Sequence, residues 1–321
     1  MSSPTDAATP PSGVFARTRA LGQRSPISAV VFGVVLFSTG PVMVAGASVS
    51  GPIFSFWRLW IGVVVLGIAT LIYCRSRRAW PTLDGWKWAA ICGLAFGFHQ
   101  LTFMTALRLT SVVDVTLMNT IAPIVVGVLA VPMFGERPGV SFRAWSVVAI
   151  GGTAIVVLAG SSGPNGDPVG MLLAALNVVG YSFYFVWSKL ARDKIETVPF
   201  LFGATLFAAL SVSAYVLLAG EPLGEISAHD LLLCFLVAVL PGFFGHFAVT
   251  WSLRWVPANI PPVIMLAIPV LSGFMAWVFV GQGVALAQVL GGVITIIGVA
   301  GALRSSASLS AAESLVTAEE T

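Results

Sequence analysis

The chain has 321 residues, of which 57% are hydrophobic and 9% charged, and its net charge is +3. Soluble domains carry about 25% charge, so a water-soluble fold, a nucleic-acid binder and a disordered chain are all excluded. The remaining class is an all-α polytopic membrane protein. Residues 1–25 are rich in Ser, Thr, Pro and Ala, with Arg17, Arg19 and Arg24, and are expected to form a disordered tail. A signal peptide would have a short apolar core and a small-residue cleavage site. The first apolar run here is full length and leads into others, so no cleavage is expected.

A membrane helix needs about 20 apolar residues. Ten such segments follow in order: roughly 27–47, 51–73, 86–107, 112–134, 143–160, 170–189, 197–218, 230–252, 258–280 and 284–303. Runs this long without alternation are helices and not barrel strands. The sequence GSSGPNGDP at 160–168 reads as a turn joining two halves. Residues 305–321, rich in Ser, Ala and Glu, are expected to be a second disordered tail.

Lys and Arg set orientation. With the N-terminus inside, cytoplasmic segments hold fourteen of the sixteen basic residues. Arg108 alone falls in an outer loop, Arg58 falls within the second span, and the outer loop after the seventh span carries Glu221, Glu225 and Asp230. Both termini are therefore expected in the cytoplasm and the chain in the plasma membrane.

At an offset of 146 residues the sequence matches itself. Leu107-Arg108 falls on Leu253-Arg254, Pro123 on Pro269, Gly135 on Gly281 and Gly152 on Gly298. Each half, 26–160 and 170–304, holds five spans, with 161–169 as the linker. Five is odd, so the second half inserts upside down. Inverted repeats are a transporter signature, because two related halves can exchange conformations.

The motifs FWRLW, ALRLTSV and APIVVGVLAVPMFGER in the first half, and SLRWVPA, AIPVLSGFMAWVFVGQ and GGVITIIGVA in the second, resemble the drug/metabolite transporter superfamily with two EamA-like domains. The resemblance covers about residues 27–304. It implies a secondary transporter that exports small metabolites, such as amino acids, or drugs by alternating access. A nucleotide-sugar-type exchanger is the alternative within the family. That family usually has Glu after the Gly in both halves. Here Glu136 is matched by Gln282, which suits a structural role at a helix end. Small multidrug members couple to protons through a Glu in their first helix. The segment Ile27–Gly46 has no carboxylate, leaving facilitated diffusion or histidine-linked coupling.

Candidate site residues are the polar groups at mid-span: His99, Gln100, Asn119, Asn177, Tyr181, His246 and Thr250. Asn177 and Tyr181 share a helix face, as do His246 and Thr250. The two histidines could bind a carboxylate or respond to pH, and against this stand buried neutral packing roles. Phe98, Phe103, Phe183, Tyr184 and Trp251 are candidate cavity walls. Trp57, Trp60, Trp80, Trp86 and Trp88 read as interfacial anchors. Arg58 either attracts anions into an outer vestibule or pairs with Asp114. Pro41, Pro123, Pro261, Pro262 and Pro269 interrupt spans, serving gating or static kinks. Gly151, Gly152, Gly291, Gly292 and Gly298 suit close helix packing, including a homodimer face.

Cys74, Cys92 and Cys234 are dispersed and read as packing residues. No HExxH, CxxC or P-loop is present, so no metal, cofactor or built-in ATPase is expected. Ser161-Ser162 lack a neighbouring histidine, which argues against an enzyme. A receptor or channel is the remaining non-transport reading, and it would not require an inverted repeat. The expected partners are a small-molecule substrate and the lipid bilayer, with no nucleic acid.

Overall fold

The computed structural model describes residues 26–109, 115, 118–135, 137–159, 167–224, 226–280 and 284–319. Asp114, Glu136, Glu225, Gln282 and the first tail lie outside the described residues. Among those described, every regular element is helical. The elements are α1 Pro26–Ala45, α2 Gly51–Arg77, α3 Leu83–Leu109, α4 Ala122–Phe134, α5 Val140–Ala159, α6 Pro168–Ala191 and α7 Thr197–Leu218. Then come α8 Ala228–Val237, a π-helical segment Ala238–Gly245, α9 His246–Ser252, α10 Ile260–Met265, α11 Ile268–Val280 and α12 Leu286–Glu319.

Eight stretches of the described chain are long and apolar enough to cross a membrane. They are α1, α2, α5, α6, α7, the continuous run Ala228–Ser252, the broken run Ile260–Phe279 and the segment Leu286–Ser305 of α12. The helix α3 has 27 residues, with Asp84 in its first turn. The apolar α4 has 13. The helix α3 overlaps the predicted segment 86–107, and α4 covers the latter part of 112–134, of which 112–114, 116 and 117 lie outside the described residues. The molecule is a multi-pass membrane protein. The last helix departs from expectation, since α12 continues through Glu319 where a disordered tail was predicted. Beyond Gly301 the sequence has no Gly or Pro and is rich in Ala, Leu and Glu, all good helix formers.

Lipid is the solvent here, so large apolar side chains face outward: Ile68, Ile72, Val128, Leu172, Leu232 and Ile297 are all exposed. Small hydroxyl residues point inward and satisfy themselves on their own helix. Ser38 donates to the Val34 carbonyl at 2.7 Å, Ser182 to Val178 at 2.7 Å and Ser188 to Tyr184 at 2.6 Å. The free cysteines Cys74, Cys92 and Cys234 are buried.

Helix pairing crosses the two halves. The helix α3 lies along α6 and α7, and α1 lies along the π segment, α9 and α11. The helices α2 and α7 pack together, as do α5 and α12. The last pair meets through glycine: a Cβ on Gly152 would strike the Thr295 amide, and one on Gly298 would strike the Ala149 amide. Backbones this close need small residues at the crossing.

Two spans are broken, each beside a proline. Pro123 and Pro269 have no N–H, and a tight turn precedes each. Ile121 N–H donates to the Met118 carbonyl at 3.1 Å, and Ala267 N–H to the Ile264 carbonyl at 3.0 Å. In the turn before Pro269, the Leu266 carbonyl accepts the Thr153 hydroxyl at 3.2 Å. Gly135 ends α4 at φ +68°, a left-handed conformation suited to glycine.

Candidate functional site

The site is built where α3, α6 and α9 cross. Phe96 is its hub, with ring centroids 4.9 Å from Tyr184, 5.3 Å from His246 and 5.8 Å from His99. His99 also meets Tyr181 at 5.1 Å and Phe103 at 6.1 Å. On the far side, His246 meets Phe37 of α1 edge-on at 4.9 Å. The two histidines are thus joined through an aromatic cluster to which both halves of the chain contribute.

Polar groups border the cluster. Asn177 Nδ2 donates to Asn119 Oδ1 at 2.9 Å, tying α6 to the turn before α4. Tyr181 donates its hydroxyl proton to Met265 Sδ at 2.9 Å. His99 Nδ1, Gln100 Oε1 and Asn177 Oδ1 are buried without a hydrogen-bond partner. Buried polar atoms are usually satisfied, and these three are exceptions, as are Ser55 Oγ, Trp57 Nε1, Arg192 Nη2 and Asn259 Oδ1 elsewhere among the described residues. Thr250 lies one turn beyond His246 on the same face.

Two narrow clefts meet at this cluster. One is lined by Arg58, Leu59, Gly62 and Leu66 of α2, Phe96, Tyr184, Leu201, Ala204 and Thr205 of α7, Gly242 and His246. The other is lined by Phe37, Tyr181, Tyr184, Phe185, Ser188, His246, Thr250 and Met265, among others. Tyr184 and His246 border both. The π segment stands directly before His246 and carries Pro241, and π segments recur at functional sites. The lining is aromatic and apolar, with a few hydroxyl and imidazole groups and one guanidinium. Such a surface holds and orients a small molecule by stacking and hydrogen bonding.

At one end of the molecule Asp230, in the first turn of α8, accepts from Ser48 N–H at 2.9 Å and from Ser48 Oγ at 2.6 Å. Ser227 Oγ adds a third bond at 2.9 Å. At the other end Asp84, in the first turn of α3, meets Lys194 at 3.5 Å, and Glu196 meets Arg254 at 3.7 Å. Arg254 also donates to the Arg192 carbonyl at 2.7 Å. Arg192, just past α6, is only 2% exposed and lies under the Phe200 ring at 4.2 Å. Burial pulls its pKa down to about 10, which leaves it a cation at neutral pH. Each short interhelical connection, 46–50 and 192–196, is therefore fastened to the first turn of a long helix.

The profile of the EamA-like transporter family matches this chain twice, over residues 24–158 and 168–304. The chain belongs to the EamA-like transporter family. Among similar proteins is an uncharacterized transporter, YdfC, of Bacillus subtilis (strain 168). It is 23% identical over 206 residues, which cover 64% of this chain and 67% of the relative. An uncharacterized protein, PA1977, of Pseudomonas aeruginosa is 26% identical over 257 residues, 76% of this chain and 83% of the relative. An uncharacterized transporter of Archaeoglobus fulgidus is 24% identical over 276 residues, 85% of this chain and 94% of the relative. One solved crystal structure covers 87% of this chain and 97% of its own at a TM-score of 0.73, with 19% identity, a likeness of fold.

Within this EamA-like scaffold the structure gathers His99, Asn119, Asn177, Tyr181, His246 and Thr250 around one cluster. Gln100 is buried on the neighbouring turn face. Of the predicted aromatic walls, Tyr184 and Phe103 join the cluster. Phe98 covers Gly180, Phe183 stacks on Trp187 and Trp251 on Trp255. Trp60 donates to Ser213 at 3.0 Å and Trp86 packs on Phe202, so these two pack against other helices as well as sitting near span ends. Sequence reasoning missed Phe96, Phe37 and Met265. The available signal was spacing, since Phe96 lies three residues before His99 and so on its face.

Proposed function

We propose that this EamA-like protein is a secondary transporter of the plasma membrane that exports small metabolites or drugs by alternating access. On this reading ten spans form two inverted five-helix repeats, with both termini cytoplasmic. The substrate site lies at mid-membrane, between the repeats, around His99, Asn119, Asn177, Tyr181 and His246.

The observation that carries this reading is a relation between the two fastened ends. Ser48 and Asp230 each lie 146 residues from Lys194 and Asp84, the offset at which the sequence matches itself. The Ser48–Asp230 fastening is therefore the counterpart of the Asp84–Lys194 fastening, at the opposite end. The same offset relates the Gly152–Thr295 approach to the Gly298–Ala149 approach, and the helix break at Ile121 to that at Ala267. The helix pairing is likewise unchanged when the halves are exchanged: α3 on α6 corresponds to the π segment and α9 on α1. A scaffold with equivalent fastenings at both ends is what alternating access requires, because releasing one and keeping the other gives each open state.

The test is counterflow in proteoliposomes. Vesicles loaded with an unlabelled solute accumulate the labelled solute transiently only if a carrier exchanges them. A solute screen that gives channel-like, non-saturable flux, with no counterflow for any transported solute, would refute the carrier reading.

A further inference from the structure

We propose that the cleft beside Arg58 binds the carboxylate of a small organic monoanion whose apolar body lies against Phe96, Tyr184 and Leu66. The proposal deepens the transporter reading and rests on it only for what happens to the bound molecule. Arg58 is the eighth residue of α2, about 10 Å along the helix from its start. Among the described residues it makes no ion pair and no hydrogen bond. A guanidinium inside a span is costly unless it finds a counter-charge, acceptors or water. Arginines that serve only as anchors turn their heads to the interface. Arg58 instead lines the cleft that His246 and Phe96 close from the middle of the molecule. The carboxylate of Asp230 lies outside this cleft and is taken up by Ser48 and Ser227.

The cleft selects by charge. No Asp or Glu lines it, so a cationic molecule would meet only repulsion from Arg58. Arg58 is the one Lys or Arg among its lining residues, so a phosphate dianion would keep an uncompensated charge. A single guanidinium matches a single carboxylate, and can hold it through two parallel hydrogen bonds. Apart from Thr205, His246 and two glycines, the rest of the lining is aromatic or aliphatic and suits a hydrocarbon or aryl body.

The experiment compares isosteres on the full chain in nanodiscs and proteoliposomes. The probes are 3-phenylpropanoate, its neutral amide, 3-phenylpropylamine and phenyl phosphate, each tested for a shift in thermal unfolding midpoint and for counterflow. The carboxylate is expected to raise the midpoint and to bind at least tenfold more tightly than the other three. Arg58→Gln should lose that preference and Arg58→Lys should keep part of it. Binding of the amide or amine as tightly as the carboxylate overturns the proposal, as does no shift with any probe. Flux of the amide without a carboxylate preference would do so while leaving the transporter reading intact. Carboxylate binding without counterflow would sustain the site and count against the transporter. If Arg58→Gln does not fold, the isostere ranking of the unaltered protein and Arg58→Lys still decide.

Discussion

Adding one methyl group at the α5–α12 crossing should separate the helices, and a neighbouring glycine supplies the control. A Cβ at Gly152 would lie 2.8 Å from the Gly291 carbonyl oxygen and closer still to the Thr295 amide. Carbon contacts are comfortable at about 3.5–4.0 Å, so the facing backbone must retreat by roughly 1 Å. Overpacking of this kind costs about 1–3 kcal/mol. Gly151 is one residue away and has nothing within 4 Å. Both substitutions gain the same helix propensity, about 1 kcal/mol for Gly to Ala. The difference between Gly152→Ala and Gly151→Ala therefore isolates the clash, and Gly298→Ala should match Gly152→Ala. The double variant should cost less than the sum, since one separation relieves both contacts. Reversible SDS unfolding in mixed micelles, followed by tryptophan fluorescence, measures this, and Trp145 lies against Gly301 at the same interface. Equal stability of the Gly151 and Gly152 variants would refute the packing argument.

Three further outcomes are expected. A cysteine placed at the exposed Ala228 should react with an impermeant reagent from outside, and one at Ser308 should not; the reverse pattern rules out the proposed topology. Asp230→Asn should raise reagent access to the cleft from the outer side, whereas Asp84→Asn should raise it from the inner side. The same change in both variants would contradict the equivalence of the two fastenings. Replacing His99 or His246 with Gln should reduce flux severalfold, because each imidazole belongs to the aromatic cluster to which both halves contribute. Unchanged flux in proteoliposomes would make both histidines packing residues.

The positions of the helices were legible because bilayer thickness imposes a length on each apolar run, and the breaks at Ile121 and Ala267 were legible as prolines. Helix faces were not. Most of these helices are apolar on every side, so no stripe distinguishes the side facing lipid from the side facing protein. That is why Trp60 and Trp86 read as interfacial anchors alone, although both also pack on other helices, and why Phe96 was lost among 21 phenylalanines. The π segment was equally hidden. Hydropathy does not register a change in helical pitch, and Pro241 in LPGFFG gave the only sign of it. Polar residues inside spans were the readable part of the site, because burying them without a partner is costly. The partner of Tyr181, a methionine sulfur from a different span, had no signal at all.

The repeat explains the scaffold, and departures from the repeat explain the site. At the offset of 146 residues, Arg58 corresponds to Ala204, and both line the same cleft. A strictly two-fold site would present two guanidiniums facing each other, and one small anion could not satisfy both. Among the described residues the π segment has no counterpart in the first half, where the equivalent stretch of α3 is α-helical. At the offset of 146 residues His246 falls opposite Gln100, the neighbour of His99. The fastenings differ as well. Asp230 is 1% exposed and holds three hydrogen bonds, whereas the Asp84–Lys194 side chains are more than half exposed. Exposed pairs contribute about 0–1 kcal/mol, so the Asp84–Lys194 pair is the weaker of these two fastenings. On the proposed transporter reading, inverted halves give two related states, and their unequal charges and fastenings favour one substrate orientation.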